Sequence, residues 1–295
     1  MAIQQEHLTQ PDLLERITAT RRFMAKIGSN KIACTKENKV NMDWVRGFIA
    51  SLPALNREFA ITSSGAIAIE RVMGNRPAPQ TIAEKQAYAA MGQPKLQRLY
   101  ESEFRRQHHL ETAQILVTKN NMNNENGRKE LVATLAMLRE LGAVPIINEN
   151  DTVATAEIQF GDNDRLSAHA AIADNADTLI LISDVDGFYT ADPSKDFSAL
   201  RIPFITKVTK EIILSATGPN GDHSKGGMET KLEAARIAAS AGIDTFIISG
   251  DRPDCLTQFF NGNARSTYIH HKAFDGYRVD DRSLRAIVTE TPLPA

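Results

Sequence analysis

Near-continuous apolar runs of strand length alternate along this chain with stretches whose apolar residues recur every three or four positions. Segment 11–22, "PDLLERITATRR", reads as a short amphipathic lead-in helix able to pack on the body or on a second subunit. "RFMAKIGSNKIA" (22–33) reads as a strand entering a turn at Gly28-Ser29-Asn30, and "REFAITSSGAIAIERVM" (57–73) as strand, Ser-Ser-Gly turn and helix. Residues 81–116 carry helical spacing with Gly92-Gln93-Pro94 as a break, and 128–142 is a helix closed by Gly142, a residue favoured at helix ends. "AVPIINEND" (143–151) is then a buried strand with a polar end, 160–175 a helix, and "DTLILISDVDGFYTADP" a second apolar run with a polar, Gly-containing end. Helix 229–242 and strand 244–250 close the series, while 117–130 and the Gly-rich 215–229 read as loops.

Apolar strands alternating with helices predict an α/β fold with a mainly parallel sheet covered on both faces. Ligands of such sheets bind beyond the C-terminal strand ends. Those ends carry Gly28-Ser29, Ser63-Ser64-Gly65, Asn148-Glu149-Asn150-Asp151 and Ser183-Asp184.

Composition narrows the function. With 42% hydrophobic and 24% charged residues over 295 positions, the chain has the profile of a soluble globular chain of enzyme size rather than a disordered or fibrous one. A formal net charge of −2 provides no overall basic field, so nucleic acid is not expected as a partner and any anion must be met locally. Cys34 and Cys255 lie far apart without metal-ligand spacing and are expected to be reduced thiols. The N-terminus lacks the pattern of a secretory signal, and no apolar stretch is long enough to span a bilayer. The expected address is the cytoplasm.

Within "HSKGGMETKLEAARIAASAG", Gly226-Gly227 allow close backbone approach at a helix N-terminus, with Lys225 and Lys231 adding positive charge. The P-loop order is missing, so on pattern alone a solvated Gly loop remains the plainer reading. Lys26 ends a strand expected to be buried, which leaves it either reaching water or paired with an anion. "SSGAIA" can be a helix cap. "INENDTV", however, places more polar side chains after its strand than one cap can use, and in "GDND" capping accounts for only one of Asp162, Asn163 and Asp164. His108-His109 and His270-His271 read as surface residues, and neither a G-x-S-x-G elbow nor H-E-x-x-H occurs.

Taken in order, "KIGSN", "TSSGAIA", "KQAYAAMGQPKLQRLYESEF", "VPIINENDTVATAEIQFGDNDRLSAHAA", "LILISDVDGFYTADP" and "KGGMETKLEAARIAASAGIDT" closely resemble the glutamate 5-kinase branch of the amino acid kinase family. The resemblance covers roughly residues 23 to 250 and implies a three-layer αβα sandwich that phosphorylates the L-glutamate γ-carboxylate with ATP and Mg2+, opening proline biosynthesis. It implies that Lys26 and Lys231 contact the transferring phosphoryl group and that Asp164 orients them. Ser64, Asp151 and Asn163 match glutamate-binding positions, with Asn148 and Gly65 close by. Lys26, Gly28, Ser29, Ser183, Asp184 and the run Lys225, Gly226, Gly227, Met228, Glu229, Thr230 and Lys231 match the ATP side. No protein-held metal site is implied, and Asp162 is left as a cap or a contributor to the magnesium shell.

Three departures from the pattern stand out: Ser224-Lys225 in the Gly loop, Asn30 in the first turn, and Ile69-Glu70 where a small pair is usual. The expected layout is an extension over 1–21, the kinase domain over 22–262 and a divergent segment over 263–295, without the RNA-modification-type PUA domain many members append. A dimer or tetramer is expected through faces near 81–116 and the 150s loop, with proline as a feedback inhibitor. The alternatives are a related kinase with another carboxylate acceptor and a non-catalytic amino-acid sensor.

Overall fold

Period-two alternation in the apolar runs divides the core between the two faces of one sheet. Phe23, Ala25 and Ile27 join one buried cluster with Ile180, Ile182, Phe246 and Ile248, whereas Met24 joins the other with Leu179, Leu181 and Ile247. A strand covered on both faces has no solvent side, which is why these runs read as continuous rather than alternating. The structure is a computed structural model describing residues 9–153, 163–217 and 227–275.

The strands are β1 (Arg22–Ile27), β2 (Ala33–Cys34), β3 (Lys39–Val40), β4 (Glu58–Ser63), β5 (Thr112–Val117), β6 (Val144–Glu149), β7 (Thr178–Ser183), β8 (Phe188–Tyr189), β9 (Arg201–Ile202), β10 (Phe204–Ile205), β11 (Asp244–Ser249) and β12 (Ser266–Ile269). The helices are α1 (Gln10–Ala19), α2 (Ser29–Ile32), α3 (Met42–Ser51), α4 (Ala66–Met73), α5 (Ile82–His108), α6 (Lys119–Asn123), α7 (Glu125–Glu140), α8 (Asn163–Ala173), α9 (Lys210–Thr217), α10 (Met228–Ala239) and α11 (Cys255–Phe260).

Eight strands form the main sheet in the order β10-β12-β11-β7-β1-β4-β6-β5. All neighbours are parallel except β12 against β11. Residues of α7, α8 and α10 cover the Met24 face, and residues of α1, α3, α4, α5 and α11 cover the Phe23 face. The result is a three-layer α/β sandwich. Because β12 pairs within this sheet, the sheet continues past residue 262. The chain winds outward from β1 in both directions, so the strand order reverses there, and a crevice opens between the ends of β4 and β7.

Several expectations are corrected. Helix α5 runs unbroken through Gly92-Gln93-Pro94, with Pro94 inside it. A proline removes one hydrogen bond and favours a kink, but packing on α4 holds the helix together. At Gly92 a Cβ would lie 1.9 Å from the Ala66 carbonyl oxygen, so the glycine is what lets the two helices touch. The helical reading also ran through β5. The supposed loop 117–130 is α6 and the start of α7, each opened by a side-chain cap: Thr118 accepts from the Asn121 amide, and Asn124 from the Asn126 amide. Asn-rich sequence marked helix caps, not a loop. The Gly-rich 215–229 segment begins inside α9 and ends inside α10.

Helix α1 packs on the body, where Leu13 and Ile17 are buried. The histidine pairs are not simply surface residues. His108 Nε2 meets the Ile49 carbonyl at 2.9 Å, and His271 Nδ1 meets Asp244 at 2.7 Å. Among the described residues no helix is long and apolar enough to cross a membrane. The part of the 150s loop beyond Val153 lies outside the described residues.

Candidate active site

Alternation decides where Lys26 goes. As an even-numbered residue of β1 it shares the face of Met24, the face covered by α8 and α10, so its ammonium is directed between those two helices. There Lys26 Nζ meets Asp164 Oδ1 at 2.6 Å, and Lys231 Nζ meets Asp164 Oδ2 at 3.3 Å. Thr230 donates to the same Oδ2 at 2.8 Å. The side chains of Asp164 and the two lysines are almost fully buried. Burial alone pushes the Asp164 carboxyl up, but the charges of Lys26 and Lys231, then hydrogen bonds from Lys26 and Thr230, outweigh it and hold the group at about 2. Two lysines against one carboxylate leave a net positive charge at the bottom of the crevice.

Beside this triad lies a cavity of about 440 Å3. Asn163, next to Asp164 at the start of α8, donates to Ser64 Oγ at 2.5 Å and to Asn148 Oδ1 at 2.9 Å. Asn148 in turn donates to Gln93 Oε1 of α5 at 2.8 Å. Asn163 Oδ1 is buried without a hydrogen-bond partner, and Asn163 lines the cavity. Gly65 and Asp151 line the same cavity. Gly65 stands at φ +119° before α4, a conformation that favours glycine, and a Cβ there would press on Ile32 at 3.1 Å. Burial raises the Asp151 carboxyl to about 6, so a cation arriving beside it would be welcomed as the carboxylate ionises.

On the other side of β1, Ser183 ends β7 and Asp184 follows it. Lys31 Nζ bridges Asp184 at 3.1 Å and Asp251 at 3.2 Å, and Asn30 donates to Asp184 at 3.3 Å. Burial raises the Asp184 carboxyl, while the Lys31 contact, the Asn30 hydrogen bond and the charge of Lys231 together bring it below its usual value. Charges therefore alternate across the strand ends, from Lys26 through Asp164, Lys231, Asp184 and Lys31 to Asp251. Helix α10 starts after Gly227, which provides no side-chain cap, so its first-turn N–H groups face this region without one.

The expected site residues thus come together in two groups. Lys26, Asp164, Lys231 and Thr230 meet directly, as do Ser64, Asn148 and Asn163. Gly28 precedes α2, and Ser29, expected on the nucleotide side, also lines the 440 Å3 cavity, so it stands on the border between the two. Gly227, Met228 and Glu229 form the entry to α10. Lys225, Gly226 and Asp162 lie outside the described residues, as does Ser224. Sequence reasoning missed Gln93, Lys31, Arg71 and Lys85. Only Lys31 carried a local signal, since it directly follows the Gly28-Ser29-Asn30 turn.

A family model described as "Amino acid kinase family" matches residues 21–249. The glutamate 5-kinase of Gluconobacter oxydans (strain 621H) is 40% identical over 259 residues, covering 86% of this chain and 68% of the relative. That of Dinoroseobacter shibae is 40% identical over 257 residues, covering 86% and 70%. Among solved structures, Giardia lamblia carbamate kinase bound to AMP-PNP matches 86% of this chain and 99% of its own with a TM-score of 0.59 at 13% identity. An isopentenyl phosphate kinase substrate complex matches 85% and 100% with a TM-score of 0.58 at 16% identity, a likeness of fold alone. By its sequence, the chain belongs to the amino acid kinase family.

Proposed function

We propose that this chain transfers the γ-phosphoryl group of ATP to the γ-carboxylate of L-glutamate, giving L-glutamyl 5-phosphate and ADP, the opening step of proline biosynthesis. The observation that carries the reading is the position of Asp164. One residue pins two lysines at the end of the switch-point strand, and its neighbour Asn163 lines the cavity beside them.

A γ-carboxylate has a reference pKa of about 4.3 and is already a nucleophile at neutral pH, so no general base is needed. The obstacle is repulsion between that anion and the polyphosphate. Lys26 and Lys231 offset it as charge spreads over the equatorial oxygens, while a carboxylate oxygen bonds to the γ-phosphorus and the bond to the β,γ-bridging oxygen breaks. Asp164 keeps both ammonium groups in place before the substrates arrive, so little reorganisation is left for the transition state. Ser64, Asn148 and Asn163 orient the acceptor, Gly65 admits it, and Asp151 receives its ammonium.

Gly28, Ser29, Ser183, Asp184 and the run Gly227 to Lys231 hold the nucleotide, with the uncapped start of α10 suited to phosphate. Lys225 and Gly226 extend that loop. Magnesium takes mostly phosphate and water oxygens and would neutralise phosphate charge. The carboxylate donors at this edge fit it: Asp184 and Asp251 are 63% and 73% exposed and would hold it through water.

The test is ADP release with hydroxylamine trapping of the acyl phosphate, run with Mg2+, ATP and a panel of carboxylate acceptors. Glutamate-dependent hydroxamate is the expected result. Turnover of another acceptor in its place, or of none, would replace this reading by a different kinase or by an amino-acid sensor. Repeating the assay with added proline tests feedback inhibition, and light scattering tests the expected homo-oligomer. A cytoplasmic setting goes with this chemistry.

A further inference from the structure

We infer that Arg71, supported by Lys85, binds the α-carboxylate of the acceptor and sets the enzyme's specificity for a full amino acid. This rests on reading the 440 Å3 cavity as the acceptor site.

The cavity has two unlike walls. Asn148, Asp151 and Asn163 form the amide and acid side; α4 and α5 form the other, each turning one helical face inward. On α4 that face is Ile67, Ala68 and Arg71, and on α5 it is Ile82, Lys85 and Gln86, both at the three-and-four spacing of one helix side. Helical side chains lean toward the N-terminus, so Arg71 reaches back toward the Gly65 end of α4, where the cavity lies.

Arg71 is half-buried, and its Nε is buried without an acceptor. Neither it nor Lys85 enters an ion pair among the described residues. The contrast with its neighbour is sharp. Glu70, the fully buried residue beside it on α4, takes Arg76 at 2.6 Å and Lys95 at 2.5 Å, so that carboxylate is already engaged by other cations. A half-buried guanidinium whose Nε has no acceptor is suited to an anion, and a carboxylate matches its paired donors.

Among the described residues, one charged group of the acceptor is still to be matched with an opposite charge. Its γ-carboxylate faces Lys26 and Lys231 and its ammonium belongs with Asp151, while the α-carboxylate sits on the same carbon as that ammonium. A cation on the wall facing Asp151 completes the match. The unusual Glu70 then acquires a role at a distance, since by neutralising Lys95 and Arg76 it leaves Arg71 as the arginine of the cavity.

The experiment compares glutamate with isoglutamine, whose α-carboxylate is an amide, and with 4-aminobutyrate, which lacks that group, in the wild type and in Arg71→Met, Arg71→Lys and Lys85→Met. Wild type should strongly prefer glutamate. Arg71→Met should raise the glutamate KM roughly 10–100-fold, the worth of a charged hydrogen bond, with kcat changed only a few-fold and the ATP KM unaffected. The preference over isoglutamine should shrink by the same factor, and Arg71→Lys should recover part of it. A merely structural role would weaken all acceptors equally, so an unchanged preference in Arg71→Met overturns the proposal. If that variant does not fold, an unchanged preference in Lys85→Met, or a wild type indifferent to the α-amide, overturns it instead. Wild type that fails to phosphorylate glutamate removes the acceptor assignment and this inference together, whereas glutamate turnover with unaltered preference removes this inference alone.

Discussion

Two aspartates of one site sit on opposite sides of their ordinary pKa, and each makes a prediction. Asp164 is held at about 2 by Lys26 and Lys231 against its own burial. A carboxylate depressed on folding contributes stability above its unfolded pKa, and that contribution is lost as pH falls through the folded value. Asp164 therefore stays ionised throughout the working range. Asp164→Asn keeps the shape and the contact with Thr230 but removes the charge, and kcat should fall by at least about 10²-fold, read by steady-state ADP release. Asp151 is the reverse case: burial raises it to about 6, so its folding contribution is present at low pH and lost as pH rises from the ordinary carboxylate range toward that value. Binding an ammonium uses the ionised form. The glutamate KM should fall as pH rises through about 6 and level off above it. Asp151→Asn should raise KM and abolish the dependence, and a KM profile from pH 5 to 8 that keeps its bend in this variant would assign the titration elsewhere.

Among the elements, the contact between α4 and α5 is the most exposed to a single change. Gly92→Ala would set a methyl 1.9 Å from the Ala66 carbonyl oxygen, a backbone clash no rotamer relieves. Overpacking of this kind costs about 1–3 kcal/mol. Since Ala66 lines the acceptor cavity, thermal denaturation should show the loss while the glutamate KM rises more than the ATP KM. The same contact explains what the sequence could and could not reveal. Strands such as "TLILIS" were legible because burial on both faces leaves an unbroken apolar run, and the polar residues at their ends marked the crevice. For Lys26 the sequence left water or an anion open, and the fold brings it to Asp164, a partner far away in the chain. The continuity of α5 was not legible: Pro94 argues for a break, and only packing on a helix more than twenty residues earlier overrides it. Asn-rich caps of α6 and α7 looked like loop composition for a similar reason, since side-chain caps and turns draw on the same residues. Arg71 and Lys85 gave no signal at all, because the significance of an unpaired cation depends on which neighbours have already been paired.

At the scale of the molecule, β1 divides the work. Strands β4 and β6, with α4 and α5, lie on the side of the proposed acceptor cavity; β7 and β11 lie on the other side, where the nucleotide is proposed to bind; and Lys26 belongs to the strand between them. Asp164, on the helix that lies across this seam, ties the central strand to α10, so the lysines that serve both halves are fixed by one carboxylate. The account therefore stands on charge brought to a point where two anions must meet. The most direct measurement is the turnover of Lys231→Met with ATP and glutamate both saturating, followed by acyl-phosphate trapping. A drop in kcat of about 10²–10³-fold with both KM values changed only modestly is predicted, comparable with removal of one transition-state donor. A folded variant that makes glutamyl phosphate at the wild-type kcat would contradict it.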